Sequence, residues 1–175
     1  MKIKTTVVFA LSSAAALLCL TAGDQFPAPP KASAELDKMK SLVGTWQGKA
    51  DLGQGPIDMT VKYRLLAGGT VLEERCFPDT PMEMVTMFYD KGGKLAMTHY
   101  CVLGNRPAMT LKNADDNTLS FDFDASCGIN TKTEMHMHAM SLRFDNADTI
   151  TTTCKSLANG QEQEGHACTL KRVKS

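Results

Sequence analysis

From residue 44 onward, apolar side chains recur at every second position in short runs, and each run stops at Gly, Pro, Asn or Asp. The clearest run sets Leu119, Phe121 and Phe123 against Ser120, Asp122 and Asp124. Period two means one face of a strand is apolar and the other wet. The punctuation predicts strands near 45–51, 57–66, 70–77, 83–89, 94–102, 107–112, 118–124, 134–144, 148–155 and 165–173. The connections are short: Lys91-Gly92-Gly93, Gly104-Asn105-Arg106-Pro107, Asp115-Asp116-Asn117 and Asn159-Gly160 all favour pairing of neighbours. Ten strands joined this way predict an all-β, up-and-down antiparallel barrel with room inside for a ligand.

Upstream the period changes. Ala34, Leu36, Met39 and Leu42 recur at helical spacing behind Ser33, which predicts a short N-terminal helix capping the barrel mouth. Within 134–144 the alternation does not decide a face. His136, His138, Met140, Leu142 and Phe144 share one side, and Met135, Met137, Ala139, Ser141 and Arg143 the other. If the second half of the strand sets the register, both histidines point inward.

The first 23 residues place Lys2 and Lys4 before an apolar run from Val7 to Leu20 and small residues Thr21-Ala22-Gly23, the order of a secretory signal. Residues 1–23 are therefore expected to be removed, 24–33 to form a Pro-rich tether, and 34–175 to form one domain that is periplasmic or secreted. The apolar run is short for a membrane span, which needs about 20 residues. After cleavage, seventeen Lys and Arg face nineteen Asp and Glu, a net charge near −2 with no basic stripe for nucleic acid.

Five cysteines follow the signal: Cys76, Cys101, Cys127, Cys154 and Cys168. An odd number leaves at least one thiol without a partner in its own chain. Cys154 and Cys168 are equidistant from residue 161 beside the Asn159-Gly160 turn, so a hairpin centred there predicts a cross-strand disulfide between them.

Candidate chemistry centres on histidine. His136 and His138, at i and i+2, stand about 7 Å apart on one strand face, a spacing that suits two ligands to one metal, with His99, Cys101, Glu83 or Glu134 available as a third. Zinc or copper is the ion such a set favours. The alternative is that the histidines hydrogen-bond within the barrel wall. His99 and Cys101 share a face but stand too far apart for an activated thiolate pair, so no catalytic residue is assigned. Glu73, Glu74 and Glu83 read as surface charges or partners of Arg64, Arg75 and Arg106. Eleven methionines, many in the central strands, suit either packing or an adaptable apolar cavity.

Gly44-Thr45-Trp46 opens the first strand and Arg172 ends the last, so Trp46 can plug one end of the barrel with the guanidinium on its indole. This opening resembles the lipocalin-like (calycin) barrels. Met97-Thr98-His99-Tyr100-Cys101, Gly104-Asn105-Arg106-Pro107 and His136-Met137-His138 look like a group of exported bacterial proteins of unknown function with that fold, over residues 36–173. The resemblance implies a fold and no activity; it also implies a tryptophan on the penultimate strand, where Cys154 stands. A more distant similarity to nitrobindin-like haem barrels implies His166 as an axial ligand. The combined expectation is a binding module rather than an enzyme. It takes a small apolar or amphipathic ligand on His99, His136, His138, Tyr89, Met97, Phe121, Phe123 and Met140. A metal- or haem-binding barrel and a fully packed structural barrel are the alternatives.

Overall fold

A computed structural model describes residues 28–51 and 55–174. The expected signal segment and the first residues of the tether lie outside the described residues.

Helix α1 (Ala34–Lys40) starts where Ser33 caps it, its Oγ accepting from the Leu36 amide at 3.0 Å. Ser33 is itself held by Asp90, which accepts from its amide and hydroxyl at 2.7 Å each. The helix buries Leu36 and Met39, and Leu42 beyond it, against the barrel end.

Eleven strands follow: β1 (Gly44–Asp51), β2 (Pro56–Leu66), β3 (Val71–Cys76), β4 (Met84–Lys91), β5 (Lys94–Tyr100), β6 (Ala108–Ala114), β7 (Thr118–Phe123), β8 (His136–Asn146), β9 (Thr149–Ala158), β10 (Gln161–Glu162) and β11 (His166–Arg172). Each neighbour pair from β1 to β9 is antiparallel, β9 pairs with β11, and β11 closes on β1. The two-residue β10 is an extension on β9, so the closed wall has ten strands, as the alternation predicts.

The helix end is the packed end. Trp46 is fully buried, its Nε1 donates to the Leu42 carbonyl at 2.7 Å, and the Arg172 guanidinium lies 4.3 Å over its ring. Arg172 also donates to the carbonyls of Val43 at 2.9 Å and Ser41 at 2.7 Å. One cation thus ties the last strand to the helix exit and to the indole. Below this plug, Leu72, Phe88, Met97, Met109, Leu119, Phe121 and Leu142 fill the barrel, with Phe88 and Phe121 at a 6.0 Å ring separation. Gly48 is needed where β1 meets β11, because a Cβ there would lie 2.2 Å from the Thr169 carbonyl oxygen.

Strict alternation fails at two points in β8. Met137 pairs with Ser156 and Ala139 with Lys155, so His138 is an extra residue; Asp145 is a second. The first bulge leaves Met137 and Met140 both facing inward. The second half of the strand therefore does not set the register of the first, and neither His136 nor His138 is among the residues lining the lumen cavity.

The β9–β11 register also differs from expectation. Asn159 and Gly160 adopt φ of 52° and 73°, a two-residue turn that pairs Ala158 with Gln161. The turn is therefore centred between 159 and 160 rather than on 161. Cys154 comes to lie opposite His166 and Cys168 opposite Thr152, and all five described cysteines are free thiols.

Candidate ligand-binding cavity

At the end away from α1 the barrel is not filled. A cavity of about 370 Å³ opens there, bounded by the ends of β1, β3, β5 and β9 and the starts of β2, β4, β8 and β11. Six methionines line it: Met59, Met82, Met84, Met135, Met137 and Met140. Val61, Phe77, Val102, Leu103 and Leu170 complete an apolar lining, and Met82, Val102, Leu103 and Met135 stay exposed around the mouth. Unbranched thioethers can follow the outline of different apolar guests. No Lys or Arg is among the lining residues.

One wall of this cavity is polar. Alternation in β3 puts Leu72, Glu74 and Cys76 inside, and Glu73 outside, where Arg64 holds it by two bonds of 2.9 Å and Arg75 by one of 3.2 Å. Arg75 continues to Glu83 at 2.5 Å. Glu74 has no such cation. Tyr63 on β2 donates to its Oε2 at 2.5 Å, Thr86 on β4 to its Oε1 at 3.1 Å, and the Cys76 thiol approaches Oε1 at 3.5 Å. Thr86 Oγ1 also meets His99 Nδ1 on β5 at 3.0 Å. Tyr63, Glu74, Thr86 and His99 are all buried, so four adjacent strands contribute one hydrogen-bonded chain to the lumen wall.

Burial governs the titration of this chain. It lifts the Glu74 carboxyl above its ordinary range, against the bonds from Tyr63, Thr86 and Cys76, and raises the Tyr63 hydroxyl further still. It lowers His99 to about 4, so the imidazole is neutral at ordinary pH. It also pushes up the thiols of Cys76, Cys168 and Cys154, the last to about 12. A thiol with so high a pKa is a poor nucleophile.

The sequence-derived site residues divide. His99 and Met140 line the cavity, and so does His166, at its rim opposite Cys154. Met97 and Phe121 are packed in the closed core. Tyr89 faces outward beside Phe88, bonding Thr98 at 3.0 Å and bordering a surface groove with Pro30 to Ala32. Phe123, His136 and His138 form a separate ring cluster, with Phe123 4.6 Å from His136 and 5.1 Å from His138. His136 Nδ1 bonds the Glu134 carbonyl at 2.7 Å and its Nε2 lies 3.1 Å from His138 Nδ1. Neither His136 nor His138 lines the cavity with His99, and the three histidines do not assemble into a metal site. Among the described residues no group of three His, Cys, Asp or Glu is placed to hold a metal ion.

Sequence reasoning missed Tyr63, Glu74, Thr86 and Cys76. A usable signal was present: Glu73 and Glu74 are consecutive in a strand and must face opposite sides, and Glu74 is in phase with Leu72 and Cys76.

No protein-family model and no curated protein sequence matches the chain. Solved structures do. Rv2717c from M. tuberculosis aligns with a TM-score of 0.54 and 15% identity over 82% of this chain and 100% of that one. A protein of unknown function from the DUF3598 family of Nostoc punctiforme aligns with a TM-score of 0.54 and 16% identity over 86% of this chain; the match spans 53% of that longer protein. At such identities the likeness is one of fold, a closed antiparallel barrel consistent with the lipocalin-like architecture. No described helix is long and apolar enough to cross a membrane.

Proposed function

We propose that this protein is an exported carrier, periplasmic or secreted, that binds a small apolar or amphipathic molecule in the barrel lumen. The observation that carries the reading is the unfilled half of the barrel. About 370 Å³ is bounded by methionines and aliphatic residues and bears one polar wall at Glu74, Thr86 and His99. That volume, and an apolar lining with a few convergent polar groups, are those of small-molecule sites. A barrel serving only as a structural element would close this end as it closes the other, around Trp46.

Titration with an environment-sensitive apolar dye, followed by displacement with fatty alcohols, tests the reading. Saturable binding at one site per chain is expected, abolished in Ser156→Trp, which places an indole in the lumen. Equal dye binding by the variant, or none by the native chain, refutes it. Native mass spectrometry of the exported protein identifies the resident molecule by its mass.

One observation favours a second reading. His166 lies on the cavity rim, where it could ligate a haem held against the methionine wall, and the bound group would then supply redox or gas-binding chemistry. A Soret band on haem addition that is lost in His166→Ala supports it; no spectral change removes it.

A further inference from the structure

The polar wall has a feature that bears on which ligands it accepts, and the argument rests on the lumen reading above. Thr86 carries a single hydroxyl hydrogen and stands between two atoms that can accept it, 3.1 Å from Glu74 Oε1 and 3.0 Å from His99 Nδ1, the latter accepting in only one of its tautomers. It can donate to only one of them. When Glu74 is ionised, both of its oxygens are acceptors only, matched by the donors of Tyr63, Thr86 and Cys76. Thr86 then donates to Glu74 and must accept from His99, which fixes the neutral imidazole as the Nδ1–H tautomer. His99 Nε2 is left as a bare acceptor. It has no partner among the described residues, and His99 lines the cavity.

When Glu74 carries a proton on Oε1, Tyr63 still donates to Oε2 while the two bonds through Thr86 reverse. Glu74 donates to Thr86, Thr86 donates to His99 Nδ1, and the ring proton moves to Nε2. The protonated oxygen is then a poor acceptor for the Cys76 thiol, so the ionised arrangement is the better match to the donors around it. Tyr63, Cys76, Thr86 and His99 face the carboxyl from β2, β3, β4 and β5, and Cys154 lies across the lumen on β9. Asp51, Cys101, His166 and Cys168 complete the titratable lining.

We propose that the lumen selects ligands whose polar end is a neutral hydrogen-bond donor, a hydroxyl or an N–H, bound by His99 Nε2, and that Glu74 sets this preference through Thr86. Glu74 and Thr86 are positioning residues: they dictate which nitrogen of His99 carries the proton. Acidification through the Glu74 titration turns the same nitrogen into a donor and shifts the preference toward carbonyl-ended ligands.

The test uses two probes of matched length, 1-decanol and nonyl methyl ether, with 15N NMR of His99 in the ligand-free protein. At pH 7.5 His99 is expected as Nδ1–H, with decanol bound about tenfold more tightly than the ether, the worth of one hydrogen bond. In Thr86→Val the tautomer should no longer follow pH and the alcohol preference should collapse. Nε2–H at pH 7.5, or equal affinities for the two probes, overturns the polarity assignment while leaving a lumenal site. Failure of either probe to bind, with His99 still Nδ1–H, overturns the lumen reading and the ligand class with it.

Discussion

Gly48→Ala isolates the closure of the barrel from everything else the chain does. Gly48 sits in ordinary strand conformation, so the substitution adds no backbone strain of its own; the effect is contact alone. The new Cβ would stand 2.2 Å from the Thr169 carbonyl oxygen and 3.0 Å from Leu170 Cδ2, where ordinary contact begins at 3.4 Å. The obstacle is the backbone of β11, which no rotamer change can move aside. β11 aligns with β1 over Trp46–Arg172, Gln47–Lys171 and Gly48–Leu170, so shifting it also pulls Arg172 from the indole. Overpacking of this kind costs about 3 kcal/mol. At about 2–4 °C per kcal/mol for a domain of this size, the melting temperature should fall by about 6–12 °C. Thermal unfolding followed by circular dichroism measures it, with Gln47→Ala, an exposed change on the same strand, as the control within about 0.5 kcal/mol of the native protein. A Gly48→Ala protein that melts within about 2 °C of the native one would refute the claim that β1 and β11 close the wall at this point.

Acid should destabilise the fold through His99, whose native pKa of about 4 lies below the ordinary 6.5. The unfolded chain takes up the proton first, so stability is full above pH 6.5 and falls as pH drops toward 4, by about 3 kcal/mol at most; urea midpoints across this range, compared with His99→Asn, should show the variant less steep. Glu74 works in the opposite sense, its raised pKa favouring the folded state as pH falls, so Glu74→Gln should steepen the acid loss in the same titration. Tyr63→Phe removes one donor from the buried carboxyl and should cost about 1–3 kcal/mol by chemical denaturation, leaving the barrel's circular dichroism unchanged. At pH 8 a thiol reagent should leave Cys154 unmodified until the protein is unfolded, because a thiol with a pKa of about 12 is ionised in roughly one molecule in ten thousand; peptide mapping of the labelled sites checks it.

The wall of the barrel was legible because each strand repeats the same two-residue period between turns that admit few alternatives. Asn159-Gly160 is an instance: the dipeptide specifies a two-residue turn, and the turn formed. What could not be read was phase. The period says that residues alternate, but an inserted residue such as His138 carries no chemical mark of its own, so alternation left the face of His136 and His138 open. The disulfide expectation failed for a similar reason, since a register two residues off moves Cys154 from Cys168 to His166. Glu74 was hidden by its type: carboxylates are mostly exposed, and only the adjacency to Glu73 shows that one of the pair must face inward. The methionines were ambiguous singly and became informative once six of them met around one volume.

The extra residue in β8 acts as a phase inverter in the chain's own code. Excising position 138 would straighten the strand yet leave Met135 and Met137 on the lumen side, because the residues on either side of the bulge already agree about which way is in. Keeping the chain length while forcing perfect alternation would do the reverse, drawing His136 and His138 inside and expelling Met137. One strand thus encodes two interiors, a thioether-lined one and an imidazole-lined one, and the choice between them rests on where a single residue is stored. A lineage carrying this barrel could exchange one for the other without altering its amino-acid composition at all.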